Sequence, residues 1–149
     1  MIEFKRPILL VLRDTGLIEI FIRMPNQEPK RVLAVVNDLF FSVKLTDAAK
    51  RAGMALEFVK EAENVLEKAK TRPQLIILDL NFESADPLQL IGKLKGSSET
   101  KAISIIGYLS HIQGELKQQA QEAGCDMVMA RSAFSQNMSQ IFKRHSGAV

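Results

Sequence analysis

From Arg31 onward, short apolar runs alternate with segments of helical period, and this alternation limits the possible folds more than any other feature of the chain. The runs are Val32–Val36, Ala55–Val59, Leu75–Leu78, Ile103–Tyr108 and Met127–Ala130. Most are almost continuously apolar, the pattern of strands covered on both faces. Helix-period segments follow them over 39–52, 61–70, 86–95, 114–123 and 135–144. In the first, Leu39, Val43, Ala49 and Ala52 approximate an apolar stripe, with Lys44, Asp47, Lys50 and Arg51 outside it and Gly53 placed to end the helix. In the fourth, Leu116, Ala120 and Ala123 form the side expected to be buried, and Gly124 closes it. Five strand–helix units in strict alternation predict a parallel α/β sheet with right-handed crossovers and helices on both faces.

The first thirty residues read differently. Ile8–Leu12 and Leu17–Ile22 are β-prone runs separated by Arg13-Asp14-Thr15-Gly16, a turn-forming stretch, and predict a hairpin. Pro25-Asn26-Gln27-Glu28-Pro29 then forms a linker, so the expected division is an extension over 1–30 and one domain over 31–149. Exposed hairpin strands can pair with another chain, and self-association is expected through them or through the face made by the last two helices and the fifth strand. A homodimer would follow.

Composition removes several classes of function. The net charge of +3 is spread evenly, with five Lys/Arg against four Asp/Glu in residues 1–30 and fifteen against thirteen in the remainder. No basic stripe results, and with no Trp and one Tyr the chain lacks stacking groups for bases, so no nucleic-acid partner is expected. Ile8–Leu12 follows Lys5-Arg6 but ends at Arg13-Asp14, too short for a secretory or membrane-spanning segment. The single cysteine, Cys125, permits no internal disulfide and suits a reducing cytoplasm, where it reads as a small core residue.

In sheets of this kind, functional groups gather beyond the carboxyl ends of the strands. The first strand ends in Asn37-Asp38, the third in Asp79-Leu80-Asn81, the fourth in Ser110-His111 and the fifth in Arg131-Ser132. An isolated Asp at a strand end is commonly a turn former or a helix cap. Two of them on neighbouring strands repel unless a cation or proton lies between, and Mg²⁺ takes one or two carboxylates together with waters and phosphate oxygens.

These residues also carry a resemblance. Val32-Leu33-Ala34-Val35-Val36-Asn37-Asp38 resembles the first strand of response-regulator receiver domains with its terminal acidic pair. Leu75-Ile76-Ile77-Leu78-Asp79-Leu80-Asn81 resembles their third strand with its phosphoacceptor aspartate. The likeness implies a flavodoxin-like three-layer sandwich whose five-stranded parallel sheet has the order 2-1-3-4-5. It further implies Asp79 as phosphoacceptor, Asp38 and Asp79 as Mg²⁺ ligands with the Asn81 backbone carbonyl, and Ser110 and Arg131 as phosphoryl contacts.

Several positions depart from that pattern. Asn37 replaces one of the two acids and would reach a metal only through a bound water, which lowers metal affinity. Arg131 and Ser132 replace a lysine and a proline, and the planar guanidinium need not meet the same phosphoryl oxygen as an ammonium. Val128 stands where receivers usually carry a switching aromatic. The loop after the third strand, Phe82-Glu83-Ser84-Ala85-Asp86-Pro87, replaces the family's Met-Pro turn, with Asp86 as candidate N-cap and Pro87 at the first helical position.

The remaining conspicuous residues have bland readings. His111 has no second His nearby and reads as a loop residue, one of Phe40 and Phe41 as core and the other as a cover for the site, and Phe134 as either of these. Lys143, Arg144 and His145 close the last helix, where cations oppose its dipole. The expected function is thus an atypical receiver, or pseudo-receiver, that is not an enzyme and acts through a protein partner, a histidine kinase or a downstream effector. The alternative is a working Mg²⁺-dependent phosphoacceptor at Asp79. A flavin- or nucleotide-binding protein of the same topology is the third reading, but Asn37–Ser42 contains no glycine for close approach to a phosphate, and no flavin is expected.

Overall fold

Val32, Leu33, Ala34, Val35 and Val36 are all buried, because successive side chains enter opposite faces of a sheet that is covered on both. The first four belong to β1 (Arg31–Val35) of a computed structural model that describes residues 29–111 and 113–147, and Val36 follows directly. The hairpin expected over 8–22 lies outside the described residues. The other strands are β2 (Ala55–Phe58), β3 (Leu75–Asp79), β4 (Ser104–Leu109) and β5 (Met127–Ala130), all parallel, in the order β2-β1-β3-β4-β5. Between and after them run α1 (Leu39–Arg51), α2 (Ala62–Ala69), α3 (Pro87–Lys95), α4 (Gly114–Ala123) and α5 (Arg131–Ser146). The expected strand order and three layers are those observed.

Strand alternation divides the core in two. Leu33, Val35, Ile76, Leu78, Ile105 and Leu109 face α2, α3 and α4, while Val32, Ala34, Leu75, Ile77, Ile106 and Tyr108 face α1 and α5. Val128 joins the first layer, as does Cys125, whose thiol lies within reach of the Ile105 and Met127 carbonyls and is pushed up in pKa by burial.

Three local expectations are corrected. The buried side of α1 is Phe41, Leu45, Ala48 and Ala49, whereas Leu39 and Val43 are 77% and 63% exposed. The Asp38 carboxylate accepts the Phe41 N–H at 2.9 Å and fixes the start of the helix, so the larger pair Phe41 and Leu45 turns to the sheet. Leu39, two residues round from Phe41, is left on nearly the opposite side. Second, α5 begins at Arg131 rather than near 135, because Phe134 is buried with Met138, Ile141 and Phe142 and carries the helical apolar stripe back into the first turn. Third, Asp86 precedes α3 in the left-handed conformation (φ 50°) and its side chain makes no capping bond; Pro87 does occupy the first turn.

Gly124 ends α4 with φ 115°, as its position in the sequence predicts. A Cβ there would lie 2.8 Å from Lys95 Cγ. That lysine is held in place, its ammonium donating to the Ile103 carbonyl and pairing with Asp126, both at 2.8 Å. Asp126 in turn accepts the Ile105 N–H. Gly124→Ala therefore combines left-handed strain with a clash against a tethered side chain, and is expected to cost about 1–3 kcal/mol in denaturant-induced unfolding, read from the midpoint at unchanged slope.

Candidate functional site

Because β1 and β3 are neighbours, Asp38 and Asp79 emerge at the same rim of the sheet. Their surroundings differ. Asp38 Oδ1 accepts the Phe41 N–H, and Oδ2 is paired with the Arg131 guanidinium, which stands 4.5 Å above the centre of the Phe41 ring. Both carboxylate oxygens are thus engaged, one by the α1 N-terminus and one by the first residue of α5. The Phe41 N–H, followed by Arg131, holds the Asp38 pKa below its ordinary value despite partial burial.

Asp79, the last residue of β3, points by alternation to the α1 and α5 side, above Ile77 and beside Tyr108 in the register. Its Oδ1 accepts the Asn81 N–H at 2.9 Å. Burial raises its pKa, against the Asn81 N–H, the charge of Arg131 and the Tyr108 hydroxyl, while the Asp38 charge adds to the rise. The two acids are pulled apart: Asp38 is the settled anion, and Asp79 retains its proton to higher pH.

Asn81 joins two loops. Its side-chain oxygen accepts the Ser110 N–H at 2.8 Å and the Ser110 hydroxyl at 2.9 Å, and its amide donates to Gln113 at 2.9 Å. The Ser110 hydroxyl is therefore directed to Asn81, not to Asp79. Asn37 and His111 are exposed. Of the residues singled out from the sequence, Asp38, Asp79 and Arg131 interact with one another, Ser110 is tied in through Asn81, and Asn37 stands at the edge. A cleft of about 480 Å³ opens beside them, lined by Phe40, Phe41, Lys44, Ser110, Arg131 and Ser135, among others.

Two participants were not picked out by sequence reasoning. Gln113 comes close only through its loop, and no spacing marks it. Tyr108 is the central surprise: it is 1% exposed, packs against Phe41 (ring centroids 4.7 Å), stacks on Phe134 (5.6 Å, 6° between planes) and is the register partner of Asp79. Its parity in β4, shared with Ile106, was the available signal.

As arranged, these groups do not form an open site for a hard cation. Asp38 is committed to Phe41 and Arg131, Asn37 is neutral, and among the described residues no three His, Cys, Asp or Glu side chains are grouped as metal ligands would be.

No protein-family model matches the chain, and no curated protein sequence matches it significantly. The structure has many neighbours. A response regulator from Hahella chejuensis superposes with a TM-score of 0.71 at 21% identity, over 79% of this chain and 96% of that one. A putative response regulator from Chloroflexus aurantiacus gives 0.69 at 20% identity, covering 79% of this chain and 98% of the neighbour. A chemotaxis response regulator of Vibrio cholerae gives 0.67 at 20% identity, with 78% and 98% covered. The fold is that of response-regulator receiver domains. Among the described residues, no helix is long and apolar enough to cross a membrane.

The raised Asp79 pKa has a testable sign. Its contribution to stability is fully present below the unfolded value of 3.8 and is lost as pH rises through the higher folded value. Asp79→Asn is therefore expected to raise the thermal midpoint at neutral pH, with the gain shrinking as pH falls toward the unfolded value, checked by melting curves across the acid range.

Proposed function

We propose that this chain is an atypical receiver-like signalling module that acts through contacts with a protein partner, a histidine kinase or a downstream effector, and in which phosphotransfer to Asp79 is impaired. The observation that carries the reading is the double engagement of Asp38. Its carboxylate caps α1 and neutralises Arg131, so the side chain in the metal ligand's place and the cation in the lysine's place satisfy each other. A surface suited to protein contact lies beside them: Leu39, Phe40 and Val43 on α1 are 77%, 82% and 63% exposed, an apolar patch unusual for a helix that already buries its other face.

The second reading, a functioning phosphoacceptor, is favoured by the orientation of Asp79, which the Asn81 N–H fixes at the strand end. Incubation with a small acyl-phosphate donor and Mg²⁺, followed by intact mass, separates the two. The expected result is no stoichiometric phosphoryl adduct on the native chain; an adduct that disappears in Asp79→Ala establishes the second reading instead. Restoring an acid and an ammonium in the double variant Asn37→Asp, Arg131→Lys is expected to increase adduct formation, because it adds a metal-facing carboxylate and replaces the planar fork with a point charge.

The flavin reading loses its basis. The α1 N-terminus, where backbone amides would receive a phosphate, is already closed by the Asp38 carboxylate at Phe41 N.

A further inference from the structure

We infer that Tyr108 is a positioning residue for Asp79: its hydroxyl is the hydrogen-bond donor to that carboxylate from the neighbouring strand, and its ring ties the acid to α1 and α5. The inference goes beyond the proposed function and holds whether or not Asp79 accepts a phosphoryl group.

Tyr108 Oη is buried and has no hydrogen-bond partner. A phenol left unsatisfied in an apolar layer costs about 1–3 kcal/mol, so a buried tyrosine turns its hydroxyl to whatever acceptor is in reach. Asp79 sits opposite Tyr108 in the β3–β4 register and on the same face of the sheet. Burial pushes the pKa of both groups up; the Asp79 charge adds to the rise of the phenol, and the phenol opposes that of Asp79. The two rings packed against it, Phe41 and Phe134, have no side-chain polar atoms to offer.

The ring contacts give the hydroxyl a mechanical context. Phe41 belongs to α1 and carries the Arg131 guanidinium on its outer face; Phe134 belongs to α5. The three rings lie within 4.7–5.8 Å of one another, so a shift of Tyr108 is felt on both helices. Val128, at the usual position of the family's aromatic, lies in the opposite layer. A change at Asp79 therefore has an aromatic connection to the α1/α5 layer, beside the exposed Leu39 and Phe40.

The chain supplies its own reporter, since Tyr108 is its one tyrosine and it has no tryptophan. A phenol donating to a carboxylate absorbs to the red of one donating to an amide oxygen. In mildly alkaline buffer, the near-ultraviolet tyrosine band of folded Asp79→Asn is expected to shift to the blue of the native chain, while Asp47→Asn, an exposed acid paired with Arg51, leaves it in place. An unshifted band in folded Asp79→Asn overturns the inference. If Asp79→Asn does not fold, the reciprocal measurement decides: the side-chain carboxyl ¹³C resonance of Asp79 must move in Tyr108→Phe, and a resonance that stays put overturns it equally. Neither readout involves phosphotransfer, so a missing phosphoryl adduct leaves the inference standing and a flat spectrum leaves the proposed function standing.

Discussion

A sheet buried on both faces leaves polar chemistry only at its strand ends, and everything distinctive about this molecule follows from that restriction. Strands such as Leu75–Leu78 are fully buried, and any charged residue within them would have to be desolvated without a partner. Asp38 and Asp79 escape this by standing at the rim, one after β1 and one at the last position of β3. Even there the second is held half under the surface, which is why the two acids end with opposite pKa tendencies.

The rim is organised around a guanidinium. Arg131 opens α5, pairs with the residue that caps α1 and covers a ring from α1. An ammonium in its place would be a point charge free to follow an incoming anion, whereas the planar fork is fixed by a carboxylate on one side and a π-face on the other. The guanidinium thus leaves the rim with internally balanced charge.

The sequence was most legible where one physical rule acted alone. Uninterrupted apolar runs placed all five strands close to their observed positions, and the glycine at 124 marked the end of α4, because continuous burial and left-handed backbone leave strong local signatures. The stripe of α1 is ambiguous in the sequence because apolar residues occur on both of its sides, and choosing between Leu39 and Phe41 requires knowing that Asp38 caps the helix. The start of α5 was placed late for a related reason: Arg131 and Ser132 read as a strand-end loop until their contacts across the rim are known. Asp38, Asp79 and Arg131 could be gathered from their strand-end positions, but the direction of the Ser110 hydroxyl and the place of Tyr108 depend on loop geometry and on side-chain parity across β4. The first is a tertiary property that spacing does not encode, whereas the second is carried by the alternation along β4.

Cys125 has a practical consequence. Its sulfur lies in the layer under α4, against backbone carbonyls, with burial disfavouring the thiolate that would react. A thiol reagent can reach it only when that part of the core opens, so the rate of native-state alkylation becomes a clock for local unfolding between β4 and α4. Any cysteine introduced at an exposed position would be modified first, leaving the natural one untouched as an internal standard.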